Sequence, residues 1–198
     1  MSRPRSEAKR NAILAAALRV FAKEGLAAPT SAVSKEAGVA EGTLFIYFPT
    51  KGELVDAVFR DIRVELATAI LSSFPRKKDV QTRVRHIWDR FVDWGVEHPD
   101  AHWVATLMIA RSDLKADPSD AEKAVQAEFE AIHRSLREQK LALDLPPELF
   151  QATLDALAEM TIRMIHRRPD LAARYRRAGF EVLWRGVGGP TSRSKMSV

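Results

Sequence analysis

The stretch Glu36-Ala37-Gly38-Val39-Ala40-Glu41-Gly42-Thr43-Leu44-Phe45-Ile46-Tyr47-Phe48-Pro49-Thr50-Lys51-Gly52-Glu53-Leu54 decides how this chain folds. Gly38 and Pro49 punctuate it. Between them, Glu41 to Phe48 makes a short helix that Pro49 stops. Ahead of Gly38, Thr30 to Ala37 makes another. Two short helices joined by a tight turn, Ala37-Gly38-Val39, are the elements of a helix-turn-helix. Gly38 can take a positive φ at little cost where the chain reverses. Val33, Val39 and Leu44 are spaced to pack the two helices together. A short second helix lets its first turn project into a major groove.

Working outward, a first helix is expected from Ser6, a plausible N-cap, to Lys23, with Ile13, Leu14, Ala17, Leu18 and Phe21 as its apolar stripe and Gly25 as its C-cap. On the other side, Thr50 opens a long helix. Thr50 with Glu53 three residues on matches a capping box, and Leu54, Val58, Ile62 and Leu66 carry the stripe towards Leu71. Further helices are expected over Val80–Glu97, Asp100–Arg111, Asp120–Leu141, Pro147–Arg167 and Asp170–Arg185, with a loop over Ser112–Ser119. Strand-like alternation is scarce, and Ala, Leu, Glu and Arg dominate. The expected fold is all-α with about nine helices: a three-helix helix-turn-helix domain over 1–51, a helical ligand-binding and dimerisation bundle over 52–190, and a frayed tail over 191–198.

Composition narrows the function classes. The 198 residues are 46% hydrophobic and 29% charged, as in a folded globular protein. There is no cysteine, which excludes disulfides and thiolate metal sites. No apolar run approaches the ~18 residues of a membrane span, and no secretory signal follows the basic N-terminus. A cytoplasmic protein with no membrane partner is expected. The net charge of +5 is uneven: residues 1–51 hold eight Lys and Arg against four acids, +4 of the total. That excess suits nucleic acid, or else a solvated basic tail.

Ile13-Leu14-Ala15-Ala16-Ala17, Phe21-Ala22-Lys23-Glu24-Gly25, Glu36-Ala37-Gly38-Val39 and the run from Gly42 to Leu54 resemble the N-terminal domain of TetR-type regulators. The resemblance covers Ile13 to Val58, about a quarter of the chain. It implies a homodimeric, ligand-responsive transcription regulator, usually a repressor, that binds a palindromic operator in double-stranded DNA. The match departs at Ala28-Pro29 before Thr30, at Ala40 where a serine cap is common, at Phe45 where tyrosine is common, and at Ile46. Thr30, Ser31, Tyr47 and Lys51 are candidate phosphate contacts, which set register. Glu41, Gly42, Thr43 and Ile46 are candidates near base edges. Ile46 suits a thymine methyl, and Glu41 either accepts from a cytosine amino group or stabilises its own helix N-terminus. Phe48 reads as core, and Tyr47 as ring inside with its hydroxyl outward. Arg3 and Arg5 are either a minor-groove arm or a tail.

Other constellations were weighed. His98 and His102 invite a metal reading, but no third ligand accompanies them and none is expected. No nucleophile elbow, phosphate-binding glycine loop or dinucleotide fingerprint is present, so no catalytic residue, no cofactor and no enzyme activity are expected. Trp88, Phe91, Trp103, Met108, Phe129 and Met160 read either as bundle core or as the lining of a pocket for a small apolar or aromatic effector. Leu154, Leu157, Met164, Tyr175, Phe180, Leu183 and Trp184 read as a dimer interface, rimmed by arginines between Arg163 and Arg177. A second basic DNA site is another reading of those arginines. The rival from another class is a helical small-molecule carrier or enzyme with a vestigial DNA-reading head.

Overall fold

The computed structural model describes residues 3–109, 117–139 and 146–187, with side chains from 7–108, 117–139 and 146–186. The Arg3 and Arg5 side chains, Arg111 and 112–116, Leu141 and the tail from Thr191 lie outside the described residues. Among the described residues there are nine α-helices and no strand: α1 Arg3–Glu24, α2 Thr30–Glu36, α3 Glu41–Tyr47, α4 Lys51–Leu71, α5 Val80–Glu97, α6 Pro99–Ile109, α7 Asp120–Glu138, α8 Pro147–Arg167 and α9 Ala172–Val187.

Several helix ends differ from expectation. α1 begins ahead of Ser6, because Pro4 falls in the first turn, where a missing N–H costs nothing. α6 begins on Pro99, for the same reason. A 3₁₀ turn, Pro169–Leu171, precedes α9, and α9 runs through Gly186 to Val187. Asp170 is thereby taken out of the helix, and its carboxylate accepts from Arg168 Nε and Nη2 at 3.0 and 2.8 Å.

The chain packs as two compact units. One comprises residues up to Glu65 together with His98–Ser119; the other comprises Leu66–Glu97 and the residues from Asp120 onward. In the first, α1 packs on α2 and α6, and α2 packs on α3. Ile13, Leu14, Ala17 and Phe21 of α1 are buried with Val33, Leu44 and Phe48. Gly25 ends α1 at φ +80°, its N–H donating to Phe21 O at 2.9 Å.

In the second unit, α5, α7, α8 and α9 enclose a core that includes Trp88, Phe129, Leu136, Leu154, Ile162, Phe180 and Leu183. Trp88 is fully buried, and its indole N–H donates to the Arg176 carbonyl of α9 at 3.1 Å. Gly179 lies beside it: a Cβ there would stand 2.6 Å from Thr161 Oγ1 and 2.7 Å from Trp88 Cζ2. Glycine is what lets α9 close on α8 and α5 at this point.

Candidate nucleic-acid interface

The turn between α2 and α3 closes as a Schellman motif. Gly38, at φ +66°, donates its N–H to Lys35 O at 3.2 Å, and Val39 donates to Ser34 O at 3.0 Å. These bonds satisfy carbonyls that a helix end would leave orphaned. Val33 and Leu44 are fully buried across the turn, and Val39 is half-buried. Arg19 Nε donates to Glu36 Oε1 at 2.7 Å, tying α1 to α2. The pair is exposed, so it orients more than it stabilises.

Neither short helix has a side-chain cap. Pro29 precedes α2 and Ala40 precedes α3, both in extended conformation. The first residues of the two helices meet instead: Thr30 Oγ1 donates to Glu41 Oε1 at 2.8 Å. α4 is better capped. Glu53 N–H donates to Thr50 Oγ1 at 3.1 Å, and the Thr50 hydroxyl lies 3.3 Å from Glu53 Oε1. The capping pair is thus present, with the carboxylate drawn to the hydroxyl. Phe48 is buried, and the Arg10 guanidinium sits 5.4 Å from its ring centroid.

Buried Leu44 anchors α3, so the opposite face looks outward. Glu41, Gly42, Phe45 and Ile46 are exposed, while Thr43 and Tyr47 are half-buried on the flank. Ser31 is exposed; Thr30 and Lys51 are half-buried near the ends of the motif. All eight candidate DNA contacts therefore lie in one unit, on or beside the two short helices. Phe45, 40% exposed, was not among them.

The sequence that builds this arrangement, residues 13–58, matches a family model described as bacterial regulatory proteins of the tetR family. Residues 13–58 thus resemble the N-terminal domain of that family. The chain's curated relatives include the nucleoid occlusion factor SlmA of Haemophilus influenzae strain PittGG, 27% identical over 135 residues, which are 66% of this chain and 62% of that protein. SlmA of Aliivibrio fischeri strain MJ11 is 25% identical over 146 residues, 71% of this chain and 73% of that one. Among solved structures, a tetR family regulator from Shewanella sp. PV-4 superposes with a TM-score of 0.76 at 25% identity, covering 92% of this chain and 99% of that one. FadR of Bacillus subtilis in complex with stearoyl-CoA has a TM-score of 0.69 at 18% identity, covering 89% and 98%, a likeness of fold alone.

The six residues read as an effector pocket fall in both units. Trp88 and Phe129 fill the second unit's core, Phe91 is half-buried against it, and Met160 is 46% exposed on α8. Met108 is fully buried and Trp103 is 51% exposed, both on α6 in the first unit. The expected dimer face is largely turned inward. Leu154, Phe180 and Leu183 are buried in the protomer's own core, and Trp184 stacks on Phe180 with rings 6.3 Å apart and 7° from parallel. Large apolar side chains do not by themselves say which way a helix is rotated. The outward apolar residues are Leu149, Met160 and Met164 of α8 and Val182 of α9. No helix of the described residues is long and apolar enough to cross a membrane.

Proposed function

We propose that this chain is a transcriptional regulator of the TetR type: a cytoplasmic, ligand-responsive repressor that binds a palindromic operator as a homodimer. Residues 1–51 do the DNA reading. The observation that carries this is the outward face of α3, with Ile46 78% exposed on a short helix whose register the Gly38 turn and buried Leu44 hold in place. Tyr47, Lys51 and Ser31 contact phosphates, and Thr30 does so only on giving up its bond to Glu41; Gly42, Thr43 and Ile46 approach base edges. Residues 52–190 carry effector binding and dimerisation, without a cofactor and without enzyme activity.

The proposed effector is a small apolar or aromatic molecule that binds within one unit, either at Trp88, Phe91, Phe129 and Met160 or at Trp103 and Met108. A structural relative, FadR of Bacillus subtilis, was solved with stearoyl-CoA, an apolar acyl chain on a polar carrier. Effector binding weakens operator binding by shifting the population toward a head spacing that mismatches successive major grooves. α4 is the covalent link, since it runs from Lys51 at the reading head to Leu71.

Selection of bound duplexes from a random DNA pool tests the proposal. Enrichment of an inverted repeat, with half-site centres about one helical turn or a multiple apart, is the expected result. Failure to enrich any sequence would remove the DNA-reading function. Tryptophan fluorescence titration then tests the effector arm: a ligand that binds without changing operator affinity would refute the coupling, which must be reciprocal.

A further inference from the structure

The seven residues of α3 are Glu41-Gly42-Thr43-Leu44-Phe45-Ile46-Tyr47. At 3.6 residues per turn, Leu44 faces the core and Gly42 and Ile46, four apart, share the outward side. No Arg, Lys, His, Asn or Gln lies on this helix. The bidentate pairs that read guanine and adenine therefore have no partner on it. Its polar groups are Glu41, whose carboxylate accepts from Thr30, and Thr43 and Tyr47, half-buried on the flank. What the helix does present is an isoleucine 78% exposed, which gains almost nothing for the fold where it stands. Beside it, Gly42 has nothing within 4 Å of where a Cβ would be. A glycine there lets a base edge come close to the backbone next to Ile46.

The geometry points to a methyl-reading head: Ile46, with Gly42 clearing the space beside it, packs on the C5-methyl of one thymine in each half-site, and this contact supplies α3's main share of sequence discrimination. The inference rests on the DNA-binding function proposed above. The occupant is the major groove of duplex DNA, because thymine displays its methyl only there. The +4 charge of residues 1–51 draws a polyanion to this region, where an apolar protein partner would find no such attraction. Removing one methyl from water against Ile46 changes affinity about fourfold per half-site.

The test uses the full chain and the duplex recovered by selection. Half-site thymines are replaced one at a time by deoxyuridine, which deletes the methyl and keeps the base pair. Fluorescence anisotropy should show one position per half-site where this weakens binding about fourfold. Ile46→Ala, at an exposed position and checked by an unchanged melting curve, should weaken binding to the thymine duplex and abolish its difference from the deoxyuridine duplex. Indifference to every deoxyuridine, or a penalty that persists in Ile46→Ala, overturns methyl reading and leaves sequence-specific DNA binding standing. Absence of any sequence-specific binding brings down both.

Discussion

The hydroxyl of Thr30, first residue of α2, donates a 2.8 Å hydrogen bond to Oε1 of Glu41, first residue of α3. The two uncapped helix starts are thereby joined, and a carboxylate is held where both helices begin. The bond also occupies the hydroxyl proton that a phosphate would otherwise accept. Glu41 thus links the starts of α2 and α3, and in the proposed DNA complex its charge would repel phosphate.

Glu41→Gln separates positioning from base reading. The amide oxygen can still accept from Thr30, and the negative charge is gone. Binding to operator and to scrambled duplex should tighten alike, by about threefold at moderate salt, the scale of one unit charge several ångströms from a phosphate in water. Anisotropy on both duplexes measures it. Loss of discrimination at a single half-site position, with scrambled binding unchanged, would mean that Glu41 reads a base.

Met160 and Val182 lead the second prediction. They are 46% and 59% exposed on α8 and α9, where a monomer gains little from them. If the proposed dimer forms through this face, Met160→Glu with Val182→Glu should yield folded monomers in sedimentation equilibrium, and operator affinity should fall with the lost second head. A dimer that survives both changes would place the interface elsewhere.

The tightest packing point supplies the third. Gly179→Ala would gain up to ~1 kcal/mol of helix propensity. Against that, its Cβ would stand 2.6 Å from Thr161 Oγ1 and 2.7 Å from a Trp88 ring atom. Trp88 cannot move aside easily, because it is fully buried and hydrogen-bonded to the Arg176 carbonyl. Overpacking should win, with a net loss of about 1–2 kcal/mol and a fall in Tm of several degrees. An unchanged or higher Tm in calorimetry would show that α9 can back away from α5.

Asp155 on α8 gives the fourth. Burial, and secondarily the neighbouring Glu159 carboxylate, push its carboxyl up to about 6. The folded state therefore holds a proton there that the unfolded chain has released. Stability from this group is fully present below about pH 4 and falls as pH rises toward 6. Above pH 6 the folded protein carries the whole cost, at most about 3 kcal/mol. Asp155→Asn should flatten that part of the stability-versus-pH curve and raise stability at pH 7. Urea melts of both proteins between pH 4 and 7 with parallel slopes would contradict the burial of this carboxyl.

Much of the reading head was legible in the chain. Gly38 and Gly25 stand where only a residue free of Cβ takes positive φ cheaply, and Pro49 and Thr50 mark a stop and a start that depend on their own chemistry. Such signals are local, so α2, α3, the start of α4 and the span of α5 could be placed from residue order. Burial of Leu44 and exposure of Ile46 follow once the turn is set, because seven residues on a 3.6-residue period leave one inward position at the middle.

What residue order could not decide was rotation and partnership among the later helices. α8 and α9 carry enough apolar residues for more than one face. Only packing against α5 and α7 determined that Leu154, Phe180 and Leu183 turn inward while Met160 and Val182 turn out. The same holds for α6, whose sequence does not say that it packs on α1, and for Gly179, which looks like a weak helix residue until Thr161 and Trp88 are brought against it. Turn chemistry depends on neighbours in sequence and so is written there. Which face of a helix is buried depends on neighbours in space, which exist only after the chain has folded.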